Sequence, residues 1–185
     1  MKFLRFFIII FISLTTSIKA DLNKNLINQL ENGGKLIFIR HAYAPGIGDP
    51  NNFNLNDCST QRNLNSIGRK QSKDIGEFFR ENKIKIYKIL SSEWCRCKET
   101  ADIAFKNYST NSFLNSFYNS KYAKNKDKQV LALNNYVKKF KSDKNLIFVT
   151  HYVLISEVLN YGPSSGEIVV SDKDFNIVGN VEIDY

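Results

Sequence analysis

The sequence predicts an α/β layer fold with a mostly parallel central sheet. Short apolar runs, "KLIFIR" at 35–40, "IYKILSS" at 86–92 and "LIFVT" at 146–150, alternate with longer segments of helical period. The first of these runs is continuous in apolar character, as in a strand buried on both faces of a parallel sheet. A length of 185 residues suits one domain with a sizeable core, and no internal repeat, low-complexity linker or second-domain signal interrupts it.

The first twenty residues, "MKFLRFFIIIFISLTTSIKA", stand outside that domain. Lys2 and Arg5 form a positive n-region. Leu4 to Leu14 is an apolar stretch too short to span a bilayer comfortably, and Ala20 closes a cleavage site. Residues 1–20 are therefore expected to be a cleaved signal peptide, and 21–185 the mature domain. The alternative is a retained N-terminal anchor. No cysteine follows the proposed cut, which argues against a lipoprotein. Removal of Lys2, Arg5 and Lys19 lowers the formal charge from +8 to +5. The remaining lysines are scattered, and no basic run alternates with aromatics. The expectation is a periplasmic or secreted protein that binds no nucleic acid and is not inserted in a membrane once the signal is removed. Nothing in the sequence specifies an oligomeric state.

A helix over residues 22–31 is ended by "NGG" at 32–34. The strand Lys35–Arg40 follows, then a loop from 42 to 64 containing Pro45, Gly46, Gly48 and Pro50. A loop of this length in a small domain is usually functional or disordered. Ile67, Ile75, Phe78 and Phe79 give residues 66–82 one apolar helical face. A strand at 86–92 leads into a helix at 94–105. Residues 107–124 are polar and aromatic with little period, and read as a loop that admits a short strand. Val130, Leu133, Val137 and Phe140 step by three and four, so 126–141 is an amphipathic helix. A strand at 146–150 and a helix at 152–160 come next. "GEIVVS" and "FNIVGNVEI" close the chain as an antiparallel pair around "DKD".

Three cysteines matter if the protein is exported. Cys58 either bridges to the Cys95–Cys97 segment, leaving one thiol free, or all three are small buried thiols. Cys95 and Cys97 are too close together for a zinc site, and no His or Cys cluster supports one.

The chain has two histidines, and both follow apolar strands: His41 after "LIFIR" and His151 after "LIFVT". In open α/β sheets ligands bind outside the carboxyl ends of the strands. If the three strands are neighbours, Arg40, His41, Arg96 and His151 share one crevice. Taken alone, a histidine after a strand is more often a loop or capping residue, and an arginine there a surface ion-pair partner. Together they suit a compact anion. Arginine presents a planar fork of donors that matches phosphate. Cationic neighbours keep an imidazole neutral, and a neutral imidazole retains a lone pair for attack on phosphorus.

Four segments carry a resemblance to a known family. "IRHA" at 39–42 resembles the Arg-His-Gly/Ala motif of the histidine phosphatase superfamily, the phosphoglycerate-mutase-like proteins. "QRNLNSIGRKQSKDIG" at 61–76 is similar to its Arg-x-Leu-Thr-x-x-Gly-x-x-Gln segment. "LSSEWCRCKETA" at 90–101 resembles its strand-Ser-x-x-x-Arg-x-x-x-Thr-Ala block, and "VTHYVLI" at 149–155 its second histidine block. "SGEIVV" at 165–170 is similar to the closing strand of exported bacterial members. The resemblance spans essentially the whole mature chain. It implies a three-layer α/β/α sandwich with a mostly parallel sheet. It also implies His41 as a nucleophile that is transiently phosphorylated, His151 as a second pocket histidine, and Arg40 and Arg96 as phosphate-binding arginines. Arg62 matches the extra arginine of the short phosphohistidine-phosphatase-like branch. No metal or cofactor is implied.

The sequence departs from the family at one point. Many members carry a proton-donating carboxylate after the second arginine block. Here "NYSTNSFLNSFYNSKYAKNKD" at 107–127 has no acid before Asp127. Relocated candidates are Asp57, Glu93 and Glu99. Asp57 is placed first, because it lies in the long loop beside Cys58 and a disulfide could tie it over the site. Glu99, three residues after Arg96, is expected to serve a structural ion pair. A missing acid disfavours a mutase and an efficient sugar phosphatase, since a poor leaving group needs protonation. The expected function is an exported phosphatase acting on a small or glycan-linked phosphorylated substrate through a phosphohistidine. A weakly active or inactive phospho-ligand-binding member of the same fold is the alternative. A phosphomutase is less favoured, and a metal hydrolase lacks carboxylates at ligand spacing.

Overall fold

The structure is a computed structural model that describes residues 24–184. The expected signal segment, 1–20, lies outside the described residues. In chain order the elements are α1 (residues 24–32), β1 (Leu36–Arg40), α2 (Ser66–Glu81), β2 (Ile86–Ser91), α3 (Cys95–Phe105), β3 (Ser109–Thr110), α4 (Ser120–Ala123), α5 (Lys126–Lys138), β4 (Asn145–Thr150), α6 (Tyr152–Leu159), β5 (Ile168–Ser171) and β6 (Ile177–Val181). Short 3₁₀ turns occupy Cys58–Thr60 and Ser112–Leu114. Among the described residues no helix is long and apolar enough to cross a membrane.

The six strands form one sheet in the order β3-β2-β4-β1-β5-β6. β1 to β4 are mutually parallel, and β5 and β6 close the sheet as the expected antiparallel pair. β1 and β4 lie side by side at its centre, where Leu36 to Ile39 and Leu146 to Val149 are wholly excluded from solvent. Their side chains alternate between two cores, as strand pleating requires. Ile37, Ile39, Ile147 and Val149 pack with Leu30 of α1, Ile75 and Phe79 of α2 and Ala101 of α3. Leu36, Phe38, Leu146 and Phe148 pack with Leu133 and Val137 of α5 and Leu154 and Ile155 of α6. This is the three-layer α/β/α sandwich with a mostly parallel sheet. Burial of each such aliphatic or aromatic side chain contributes about 1.5–3 kcal/mol, so uninterrupted apolar strands are what a sheet covered on both faces needs.

The chain leaves β1 toward the α2 face and leaves β4 toward the opposite, α6 face. A sheet opens a crevice at its carboxyl edge where adjacent strands send their connections to opposite sides. Arg40 pairs with Thr150 in the register of β1 and β4, so His41 and His151 emerge next to each other at that crevice.

The segment 107–124 is more ordered than its weak period suggests. It contains β3, the Ser112–Leu114 turn and the single helical turn α4. Asn111 and Asn119 cap the last two by accepting from the N–H groups of Phe113 and Lys121. α5 ends at Lys138, short of the expected residue 141. There the Lys139 and Phe140 N–H groups bond to Tyr136 and Val137 carbonyls, tightening the final turn while Phe140 stays buried.

Cys58 is disulfide-bonded to Cys95, and Cys97 is a buried free thiol. The bridge ties the long loop after β1 to the first turn of α3. The two partners are 37 residues apart in sequence. Constraining an unfolded loop of that length is worth about 3–4 kcal/mol in the chain-entropy account. The Cys58→Ser, Cys95→Ser double variant is expected to lose about that much stability in denaturant unfolding, and reduced wild type to match it. An unchanged midpoint would contradict this.

Candidate active site

β1 delivers His41 into the crevice, and its backbone N–H continues the sheet by donating to the Thr150 carbonyl at 2.9 Å. The imidazole is buried. Its Nδ1 lies 2.9 Å from the Ala42 carbonyl oxygen. A carbonyl only accepts, so Nδ1 carries the hydrogen. Its Nε2 accepts from the Arg96 Nε–H at 3.2 Å. Both contacts require the same neutral tautomer, with the lone pair on Nε2. Burial first, then the charge of Arg96 with further help from Arg62 and Arg40, holds the His41 pKa well below its ordinary 6.5, against the opposing Ala42 contact.

His151 sits beside it, with ring centroids 5.5 Å apart in an edge arrangement. Its Nε2 is 2.9 Å from the Ser92 hydroxyl. Ser92 gives its one hydrogen to the Asn115 side-chain oxygen Oδ1 at 3.0 Å, so it accepts from the His151 Nε2–H. Burial, Arg96 and then His41 push the His151 pKa well down. Cys97 lies 3.5 Å from the same nitrogen, and burial pushes its thiol up to about 12, which favours the protonated thiol at neutral pH.

Arg96 enters from the first turn of α3 and is buried. While its Nε donates to His41, its NH1 and NH2 donate to the two oxygens of Asp49, at 2.7 and 3.2 Å. Asp49 also accepts from the Arg62 backbone N–H at 3.1 Å and the Trp94 indole at 3.0 Å. Burial pushes the Asp49 carboxyl up. The hydrogen bonds and charge of Arg96, with those N–H groups, outweigh it and hold the carboxyl below its usual range. Arg62 donates to the Gly48 carbonyl at 2.8 Å and to the Ala44 carbonyl, which braces the loop over the site. Burial and Arg96 lower its pKa to about 10, which leaves it charged at neutral pH. Arg40 donates to the Pro163 carbonyl at 2.9 Å and lies against the Tyr152 ring, 5.5 Å from its centroid.

Gly68, Gln71 and Thr100 of the motif segments hold the site segments together. A Cβ on Gly68 would meet the Tyr43 carbonyl oxygen at 2.0 Å, so only glycine lets α2 approach the chain leaving β1. Gln71 accepts from the Tyr43 N–H and donates to the Ser165 and Ile183 carbonyls, joining that chain to the loop before β5 and to the C-terminal segment. Thr100 accepts from the Ala42 N–H and donates to the Arg96 carbonyl, which links the two site segments directly.

His41, His151, Arg40, Arg62 and Arg96 all line one cavity of about 480 Å³. Asp57 is not brought there. It is exposed and caps the Cys58–Thr60 turn through the N–H and hydroxyl of Ser59. The disulfide does tie the loop over the site, but the acid that reaches the cavity is Asp49, eight residues earlier. Glu93 is bound to the Asn115 amide at 2.6 Å, and Glu99 pairs with Arg69 on α2 at 2.6 Å rather than with Arg96. Asp49 and Trp94 are the site residues that sequence reasoning missed, whereas Ser92 is the serine of the strand-Ser-x-x-x-Arg block. The signal available for Asp49 was the Gly-Asp-Pro turn at 48–50.

No family model matches the chain, and no curated protein matches it by sequence. Solved structures do. The phosphoglycerate mutase of Thermus thermophilus is 13% identical over 81% of this chain and 99% of its own, with a TM-score of 0.59. The product of an open reading frame of Mycobacterium tuberculosis is 14% identical over 81% and 96%, with a TM-score of 0.58. The protein histidine phosphatase SixA complexed with tungstate is 15% identical over 77% and 92%, with a TM-score of 0.50. The likeness is one of fold: this chain has the phosphoglycerate-mutase-like fold shared with histidine phosphatases.

Proposed function

We propose that this protein is an exported phosphatase that hydrolyses a phosphorylated substrate through a covalent phosphohistidine on His41. The observation that carries the reading is the His41 Nε2 lone pair. It is held unprotonated by accepting from the Arg96 Nε–H at 3.2 Å, in a cavity that two further arginines line. When a phosphoryl group binds to Arg96, Arg62 and Arg40, the Arg96 guanidinium turns to its oxygens, that hydrogen bond breaks, and the lone pair is free to attack phosphorus. The new N–P bond forms as the P–O bond to the leaving group breaks, and the arginines stabilise charge spread over the equatorial oxygens. Water then attacks phosphorus, the N–P bond breaks, and the nitrogen recovers its lone pair. A bound dianion favours protonation of His151, which can then donate to a phosphoryl oxygen. The scheme uses no metal.

Further support comes from SixA, whose bound tungstate is a tetrahedral oxyanion like phosphate. The cavity is larger than a phosphate group, and Phe53, Tyr118 and Tyr122 line it together with Asn51 and Asn119. That lining suits a ring-bearing leaving group, such as a small or glycan-linked phosphate ester. The Cys58–Cys95 bridge supports an oxidising compartment, in keeping with the apolar first twenty residues. The test is hydrolysis of p-nitrophenyl phosphate by the purified protein in excess chelator. Saturable phosphate release insensitive to chelator is expected. Tight phosphate binding with no turnover of any phosphate ester, anhydride or phosphoramidate would make the protein a phospho-ligand binder instead.

A further inference from the structure

We propose that Asp49 is the general acid–base of this site, giving a proton to the leaving oxygen and then taking one from the hydrolytic water. This rests on the phosphohistidine reading above. An alkoxide cannot depart readily unless it is protonated as the P–O bond breaks. In-line displacement puts that oxygen on the side of phosphorus away from His41. His151 stands beside His41 on the floor of the crevice, so it is on the attacking side. The cavity wall beyond the strand ends comes largely from the loop over 46–53 and from 116–122, and Asp49 is the only carboxylate among the described residues that line it.

The contacts of Asp49 give it two states. In the ligand-free site it accepts both distal nitrogens of Arg96, which are the donors a phosphoryl group needs. Entry of a phosphoryl dianion therefore exchanges one anion for another on the same guanidinium. The loop itself is braced by Arg62, which donates to the Gly48 and Ala44 carbonyls, so the exchange needs only the Arg96 side chain to turn from one anion to the other. The Trp94 indole and the Arg62 backbone N–H also bind the carboxylate and can keep it near the cavity. Once Arg96 has turned to the phosphate, the strongest influence holding Asp49 ionised is gone. Burial and the adjacent dianion both favour its neutral form, and it takes up one proton from solvent.

The steps balance. Nε2 of His41 bonds to phosphorus, the P–O bond breaks, and the Asp49 proton goes to the departing oxygen, releasing an alcohol. The Asp49 carboxylate then removes a proton from water as its oxygen bonds to phosphorus. The N–P bond breaks, its electron pair returns to Nε2, and phosphate leaves with Asp49 again protonated. Net, one ester and one water give one alcohol and one phosphate.

The test compares two esters, methyl phosphate and 2,4-dinitrophenyl phosphate, in the full-length wild type, Asp49→Asn and Asp49→Glu proteins. The readout is the ratio of their kcat/KM values, which a merely structural role would not move. Asp49→Asn is expected to lower that ratio about 100-fold, because only the methyl ester needs the proton. Asp49→Glu is expected to restore part of it. An unchanged ratio would overturn the inference, including the case in which wild type is already inert to the methyl ester. So would equal gains on both esters, which would make the carboxylate a mere competitor for Arg96. The two readings fail separately: a His41 phosphoenzyme in a protein whose Asp49 variants treat both esters alike removes only the role of Asp49.

Discussion

The His41→Ala protein is expected to lose phosphatase activity by at least about 10⁴-fold, with no labelled protein recovered after rapid quench from a ³²P-labelled ester. The size of the effect follows from the role. Removing a nucleophile abolishes the covalent route and leaves only what the arginines gain by holding a phosphoryl group near water. His41→Gln is a useful companion, because the amide can still accept from the Arg96 Nε–H that His41 occupies at 3.2 Å. Both variants are expected to retain wild-type circular dichroism and micromolar or weaker phosphate binding. Full activity in either would sink the phosphohistidine mechanism and with it the functional reading of the cavity. Wild type itself is expected to give a label that is stable in base and released in acid, as a phosphoramidate is and a phosphate ester is not.

What could be read from the sequence was whatever local pattern determines. β1 and β4 are visible because a sheet covered on both faces demands unbroken apolar strands, and "LIFIR" and "NLIFVT" are such runs. The histidines are visible because each sits just past one of them. The adjacency of those strands was legible only as a condition: the register of Arg40 against Thr150 depends on how two cores fill on either side of the sheet. The cysteines show the same division. Residues two apart on a helix point about 200° apart, so Cys95 and Cys97 leave α3 in different directions, one to meet Cys58 and one to pack inward, and both are buried. Which did which depends on how α3 rotates onto the sheet, and Cys97 is the one with no exposure. Asp49 was hidden for a different reason. Its place is fixed by Arg96, 47 residues away, and by Arg62, 13 residues away, across a loop with no period at all. Asp57 drew attention through its neighbour Cys58, yet it is exposed and caps the turn after it instead of reaching the cavity. α4 was missed because one helical turn carries too few residues to show a period, although Asn119 marks its start.

Replacing Arg96 is expected to separate geometry from charge at the same nitrogen. Arg96→Ala removes the fork that faces the phosphoryl oxygens, and kcat/KM is expected to fall about 10³-fold or more. It should also move the acid limb of the kcat/KM profile, which reports the free enzyme. His41 attacks only when neutral. Its pKa is lowered first by burial and next by the Arg96 charge, so loss of that charge lets the pKa rise toward 6.5. The sign is then fixed: in wild type, protonation of His41 begins to remove activity only well below pH 6.5, and in Arg96→Ala the loss begins at higher pH. Arg96→Lys keeps a positive charge but presents a point rather than a planar pair of donors. The lysine variant should therefore hold the acid limb close to its wild-type position while still losing most of the rate, because one ammonium cannot span two phosphoryl oxygens as the guanidinium fork does. If both variants shift the limb equally, the guanidinium acts on His41 through the Nε hydrogen bond more than through its charge. If neither shifts it, burial alone keeps His41 neutral, and the arginine serves the phosphate only.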